Sequence, residues 1–205
     1  MSVEGQFFLS VTGSIEHAEF YDVNNAYCKY SFHFGPDWSV VAGIEEGLTQ
    51  MCKCSNDPRN LAVWNFPLDI TFKSTSPHGW PQLIMSIYGL DLFGRDIIRG
   101  YGVCHLPLKT GRHEKREGDL RERRMICALR NRVPIYVPES SSMLQHFVEW
   151  LTGRRPELID PTILASGGGR ELTRMRVEGV VTVTFNVVLK DLFKLGYDNG
   201  EKWKK

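Results

Sequence analysis

The chain has 205 residues, 42% of them hydrophobic and 24% charged. That is enough apolar material for one core, and it excludes a disordered or fibrous chain. Its formal net charge of +1 supplies no long-range field to gather nucleic acid or anionic lipid, so any electrostatic partner must be met by a local patch.

The N-terminal MSVEGQFFLSV carries an acid where a signal peptide carries positive charge, and no segment approaches the long uncharged apolar run of a membrane span. The chain therefore reads as intracellular. The first elements alternate with a period near two and are rich in β-branched and aromatic residues: FFLSV (Phe7 to Val11), YCKYSFHF (Tyr27 to Phe34), LAVWNF (Leu61 to Phe66) and LDITF (Leu68 to Phe72). The turns TGS, FGPDW and NDPRN separate most of them. Alternation in LAVWNF turns Trp64 toward the core.

A stiff corner follows, with Pro77, Gly79 and Pro81 around Trp80. Proline fixes its own φ and lacks a donor, so this corner belongs at an end of the sheet rather than within it. Trp80 is either a lid over the core, the favoured reading, or an exposed anchor for a partner. QLIMSIYG (Gln82 to Gly89) and IIRGYGVCHLPL (Ile97 to Leu108) continue the strands, with GLDLFGRD turning between them.

The next segment, GRHEKREGDLRERRMICALRNR (Gly111 to Arg132), is dense in cations interleaved with Glu114, Glu117, Asp119 and Glu122. It reads as a charged insertion in a surface loop, since loops accept long insertions at modest entropic cost. The functional alternative is a basic contact for anionic lipid or an acidic protein face. Nucleic acid ranks last, because little aromatic interleaving is present for base stacking.

Ser140-Ser141-Ser142 then precedes MLQHFVEWLTG, where Leu144, Phe147, Val148 and Leu151 fall at helical spacing and Gly153 stands to stop the helix. This predicts one amphipathic helix docked on the sheet. Asp160-Pro161 before TILAS predicts a short helical turn, SGGG a hinge, and VVTVTFNVV (Val180 to Val188) the last strand. Many short strands with Gly/Pro punctuation predict an all-β antiparallel sandwich of about eight strands.

Motifs for catalysis are absent: no G-x-S-x-G elbow, no P-loop, no H-E-x-x-H, and SGGGR does not sit between a strand and a helix. Six histidines are spread singly. No catalytic residue and no cofactor is expected. For zinc, Cys52 and Cys54 could be joined by Cys104 and His105, but the spacing matches no finger, and the odd set of five cysteines reads as free thiols. For calcium, Asp91 and Asp96 flank LFGR and Asp37 could come from another loop, whereas the last strand offers only Asp191 and then Lys194. Calcium needs several converging oxygens, and Arg95 intrudes on the set, so turn formation is the favoured role of these aspartates and no metal is expected.

WNFPLDITFKSTSPHGWPQLIMSIYGLDLFGRDIIRGYG, with CKYSFHFGPDW and AGIEEGLTQ before it and VPESSSMLQHFVEWLTGRRPELIDP and TRMRVEGVVTVTFNVVLKDLFKLGYD after it, resembles the B9 family of ciliary proteins over nearly the whole chain. The resemblance implies a single C2-like domain over residues 6–190, with a narrower core at about 7–141, a last strand at about 180–188 and a tail at 191–205. It departs from the family pattern at 112–133, where the charged segment intervenes before PIYVPES, and a dispensable loop is expected there.

The resemblance further implies a non-enzymatic part of the Meckel syndrome, or tectonic-like, complex. That complex sits at the ciliary transition zone and basal body, in the cytoplasm and associated with the cytoskeleton, and supports a membrane diffusion barrier, ciliogenesis and Hedgehog signalling. The implied partners are the other B9 proteins, among them the Meckel syndrome type 1 protein, together with tectonics and coiled-coil scaffolds of the zone.

Two function classes follow. One is a scaffold that assembles with sibling B9 domains through sheet faces or edges. The other is a calcium-independent peripheral binder of phosphoinositides, motivated by GRR at Gly153 to Arg155 and by the arginine-rich segment. Candidate contacts for a partner or an anionic membrane surface are Trp80, Arg112, Arg116, Arg154 and Arg155.

Overall fold

The computed structural model describes residues 5–20, 25–55, 59–90, 94–108, 129–139, 142–144, 147, 156–166 and 174–197. Nine strands form one antiparallel sheet: β1 (Phe7–Phe20), β2 (Ala26–His33), β3 (Trp38–Gly43), β4 (Glu46–Leu48), β5 (Leu61–Ser74), β6 (Gln82–Leu90), β7 (Asp96–His105), β8 (Leu129–Pro138) and β9 (Met175–Lys190). The order across it is β3-β5-β1-β9-β8-β7-β6-β2-β4. The two edges, β3 and β4, are joined by Ile44 and Glu45 alone, so the sheet rolls until its ends meet at one corner.

Alternation along the strands puts one face of the roll inside. Phe7, Leu9, Val11 and Ile15 of β1 meet Leu68, Ile70 and Phe72 of β5, Val181, Val183 and Phe185 of β9, and Leu83, Met85 and Ile87 of β6 in one buried cluster. This is the expected all-β sandwich around one main core, and a period of two is what makes its inner face legible.

LAVWNF and LDITF are not two strands but the halves of β5. Asn65 at φ +47° and a register shift opposite, between Ile15 and His17, let the strand run on past Pro67. β3 pairs β5 only from Ile70 to Ser74, so Pro67 lies where the strand has one neighbour and a missing donor costs least. β3 and β4 themselves carry too few buried residues to show a period.

The charged segment expected at 112–133 is not loop throughout. Its last five residues are strand: Leu129, Arg130, Asn131, Arg132 and Val133 pair with Phe185, Thr184, Val183, Thr182 and Val181 of β9, and Val133 is buried in the core. Residues 109–128 lie outside the described residues.

The expected amphipathic helix begins at Met143, and Leu144 and Phe147 remain largely exposed, at 77% and 58%. Val148 and Leu151 lie outside the described residues. A segment further on covers the outer face of β6 and β7 instead. Leu158 and Leu164 pack with Ile98, Tyr101, Tyr88 and Val103 in a second small cluster. The expected helical turn is there as α1 (Ile163–Ser166), started by Asp160, whose Oδ1 accepts the Thr162 N–H at 2.9 Å.

Candidate interaction surface

The corner between β5 and β6 is made by two loops that touch backbone to backbone. Gly35 donates its N–H to Gly79 O at 2.9 Å, and Gly79 has φ +68°. A Cβ there would come to 2.5 Å from Gly35 Cα, so only glycine fits. The approach brings Trp38 and Trp80 together. Trp38 Nε1 donates to His78 O at 2.7 Å and Trp80 Nε1 to Leu106 O at 2.8 Å. Trp80 is half-buried against the core, with its polar end answered by main chain, which is the placement of a lid. The other four candidate contacts, Arg112, Arg116, Arg154 and Arg155, lie outside the described residues.

The outer face of β1, β9 and β8 carries a charged ladder. Arg130 Nη2 lies 2.8 Å from Glu16 Oε2, Arg132 Nη2 lies 3.1 Å from Glu19 Oε2, and the Thr184 hydroxyl donates to Glu16 from the strand between. The Thr184 hydrogen bond, aided by the Arg130 charge, holds the Glu16 carboxyl below its usual range. Both arginines belong to the segment read as a charged surface-loop insertion, and here carboxylates of β1 answer them.

On the opposite outer face Tyr88 stacks on Tyr27 with centroids 5.3 Å apart and donates its O–H to Glu157 Oε1 at 3.1 Å. Tyr101 Oη accepts the Leu158 N–H at 2.8 Å, and Gln82 Nε2 donates to Ala165 O at 3.2 Å. These bonds seat residues 156–166 on the sheet. Burial pushes the Tyr88 and Tyr101 phenols up, so both remain donors or acceptors without charge.

For metals, Asp37 follows the His33 end of β2, next to the Gln82 end of β6, whereas Asp96 pairs with Leu90 at the far end of that strand. A nine-residue strand separates them, about 27 Å. Asp91 lies outside the described residues. Among the described residues no group of three or more His, Cys, Asp or Glu side chains converges on one point. Cys28 is buried and its thiol pushed up by burial, and burial pushes the Cys104 thiol up to about 12, so neither offers a thiolate.

Where the two sheet edges meet, closure is by side chains. Gln50 Nε2 donates to Trp64 O at 2.6 Å, Trp64 Nε1 to Ala26 O at 3.0 Å, and Tyr30 packs on Phe66 with centroids 5.7 Å apart. Outside this seam Val41, Ile44, Leu48 and Met51 are exposed, with Glu45 and Glu46 among them. Sequence reading passed over these residues. The one available signal was AGIEEGL itself, two large apolar residues bracketing a pair of acids with no strand period to bury them. Among the described residues no helix is long and apolar enough to cross a membrane.

A family model described as B9-C2, ciliary basal body-associated, B9 protein, matches residues 9–188. B9 domain-containing protein 1 of Xenopus laevis is 52% identical over 194 residues, covering 95% of this chain and 90% of that protein. The human protein of the same name is 50% identical over 194 residues, covering 95% and 87%. Human B9 domain-containing protein 2 is 26% identical over 190 residues, covering 92% and 97%. Among solved structures, a C2 domain of plant extended synaptotagmin 1 superposes with a TM-score of 0.40 and 10% identity over 87% of this chain and 92% of that one, a likeness too remote to transfer any residue.

Proposed function

This chain belongs to the family of ciliary basal body-associated B9 proteins, and on that premise we propose that it is a non-enzymatic scaffold component of the Meckel syndrome, or tectonic-like, complex at the ciliary transition zone. There it helps build the membrane diffusion barrier on which ciliogenesis and Hedgehog signalling depend. Its direct partners are other B9 domains, the Meckel syndrome type 1 protein among them, and through these the tectonics and scaffolds of the zone.

The observation that carries this reading is the extent of the match, from β1 to the end of β9. A fold kept whole suits a part whose work is contact. Among the described residues the sheet also ends in two short strands, β3 and β4, each with a free side, and free edges are what neighbouring sandwiches can use to join.

The test is expression of the tagged full chain in ciliated cells depleted of their own copy. The expected result is signal at the cilium base, restored exclusion of plasma-membrane proteins from the cilium, and coprecipitation of B9 domain-containing protein 2. A chain that reaches the cilium base, coprecipitates no B9 protein and leaves the barrier defect uncorrected would overturn the scaffold reading.

A further inference from the structure

Between Val41 and Met51, at the corner where the sheet edges meet, four large apolar side chains are left uncovered. Val41, Ile44, Leu48 and Met51 are 52%, 66%, 56% and 49% exposed, and Glu45 and Glu46 stand exposed between them. Large apolar side chains gathered in so short a stretch differ from the single exposed leucines of an ordinary surface, and mark a docking face. β4 is also half-paired. Among the described residues its one neighbour is β2, through Lys29↔Leu48, Tyr30↔Gly47 and Ser31↔Glu46, and the sheet stops on its other side. Gly47 lies flush on the Tyr30 ring, where a Cβ would meet the hydroxyl at 2.8 Å, so the centre of β4 packs closely on β2.

We propose that this corner is the docking surface for a sibling B9 domain, which lays along β4 an extended apolar segment bearing one or two lysines or arginines. The proposal rests on the scaffold reading and gives it a location. The carboxylates of Glu45 and Glu46 select the occupant. They outnumber Lys29, the exposed cation opposite Leu48 on β2, and so disfavour an anionic lipid surface. A second copy laid on β4 would bring its own Glu46, with Glu45 just before the strand, against the same two acids, and like charges facing each other destabilise. A segment with cations facing them turns the same groups into attraction and register, while Ile44 and Leu48 supply the buried contact. Backbone pairing at the free side of β4 is then ordinary strand addition.

The test uses the full chain and purified B9 domain-containing protein 2 from the same organism, with affinity read by titration calorimetry. The double variant Ile44→Lys/Leu48→Lys is expected to weaken binding about tenfold or more, and Glu45→Lys/Glu46→Lys to weaken it several-fold, most at low salt. Val188→Lys, at an exposed apolar position on the outer face of β9, is expected to bind as the parent does, and circular dichroism melts should show all three variants folded.

Equal binding by the parent and the Ile44/Leu48 variant overturns the location and leaves the scaffold reading standing. A sibling that fails to bind the parent overturns both. Two further results would assign the corner to another occupant and refute the proposal. One is a dimer of the parent, seen in sedimentation, that the double variant abolishes. The other is parent flotation on phosphatidylserine-containing vesicles that the same variant abolishes.

Discussion

Trp38 and Trp80 meet edge to face with ring centroids 5.1 Å apart and planes at 83°. Trp38 opens β3 and Trp80 stands just before β6, so this one contact ties an edge strand to the turn that starts the other half of the roll. Edge-to-face geometry sets the positive rim of one ring on the negative face of the other, worth about 1 kcal/mol beyond burial.

Trp80→Ala should therefore lower unfolding free energy by about 2–4 kcal/mol, since it empties a half-buried site and leaves Leu106 O without its donor. Trp80→Phe keeps most of the ring and should cost about 1–2 kcal/mol. Urea denaturation with matched m-values measures both. An alanine variant as stable as the parent would show that the ring packs without consequence.

Gly79 and Gly94 both have positive φ, at +68° and +74°, but only Gly79 is crowded. Gly94→Ala, with nothing within 4 Å of its Cβ, should cost about 1 kcal/mol from backbone strain alone. Gly79→Ala adds a clash with Gly35 and should cost about 2–4 kcal/mol. Thermal melts of the two single variants compare strain with strain plus contact, and equal losses would refute the contact.

Glu16 makes stability depend on acid. Its folded pKa lies below the unfolded value, chiefly through the Thr184 hydroxyl. The stabilisation is therefore present in full above the unfolded value near 4.5 and is lost as pH falls through the lower folded one. Glu16→Gln should flatten this acid limb and leave the curve above pH 6 parallel to the parent's. Denaturation midpoints taken from pH 6 down to pH 3 read the difference, and an unchanged acid limb would assign the loss to other carboxylates.

Removing Glu114 to Val133 would delete five β8 rungs and the buried Val133, so that chain should be strongly destabilised or fail to fold. Removing only Glu114 to Ala128 keeps every observed β8 pair and should shift Tm by no more than a few degrees. Purified yield and melting temperature of the two deletions decide. A well-folded longer deletion would mean that β9 holds without those rungs.

Most of the strands, the main core and the β5–β6 corner were legible because each rests on local chemistry: a period of two, apolar alternation, proline and glycine at fixed places. Trp64 is buried as its alternation required. The start of β8 was hidden because Arg130, Asn131 and Arg132 read as loop until β9 supplies their partners. β3 and β4 were hidden because a strand with little to bury carries no period.

From sequence alone, then, came the fold class, the position of the turns and the resemblance to the B9 family. Only the tertiary structure decided which strands became edges, that the two edges meet at Ile44 and Glu45, and that Arg130 and Arg132 are answered by Glu16 and Glu19. The physical reason is range. Periodicity and turn chemistry act over a few residues, whereas strand order, edge identity and the pairing of a surface charge are set by neighbours from tens to more than a hundred residues away, which no local pattern encodes.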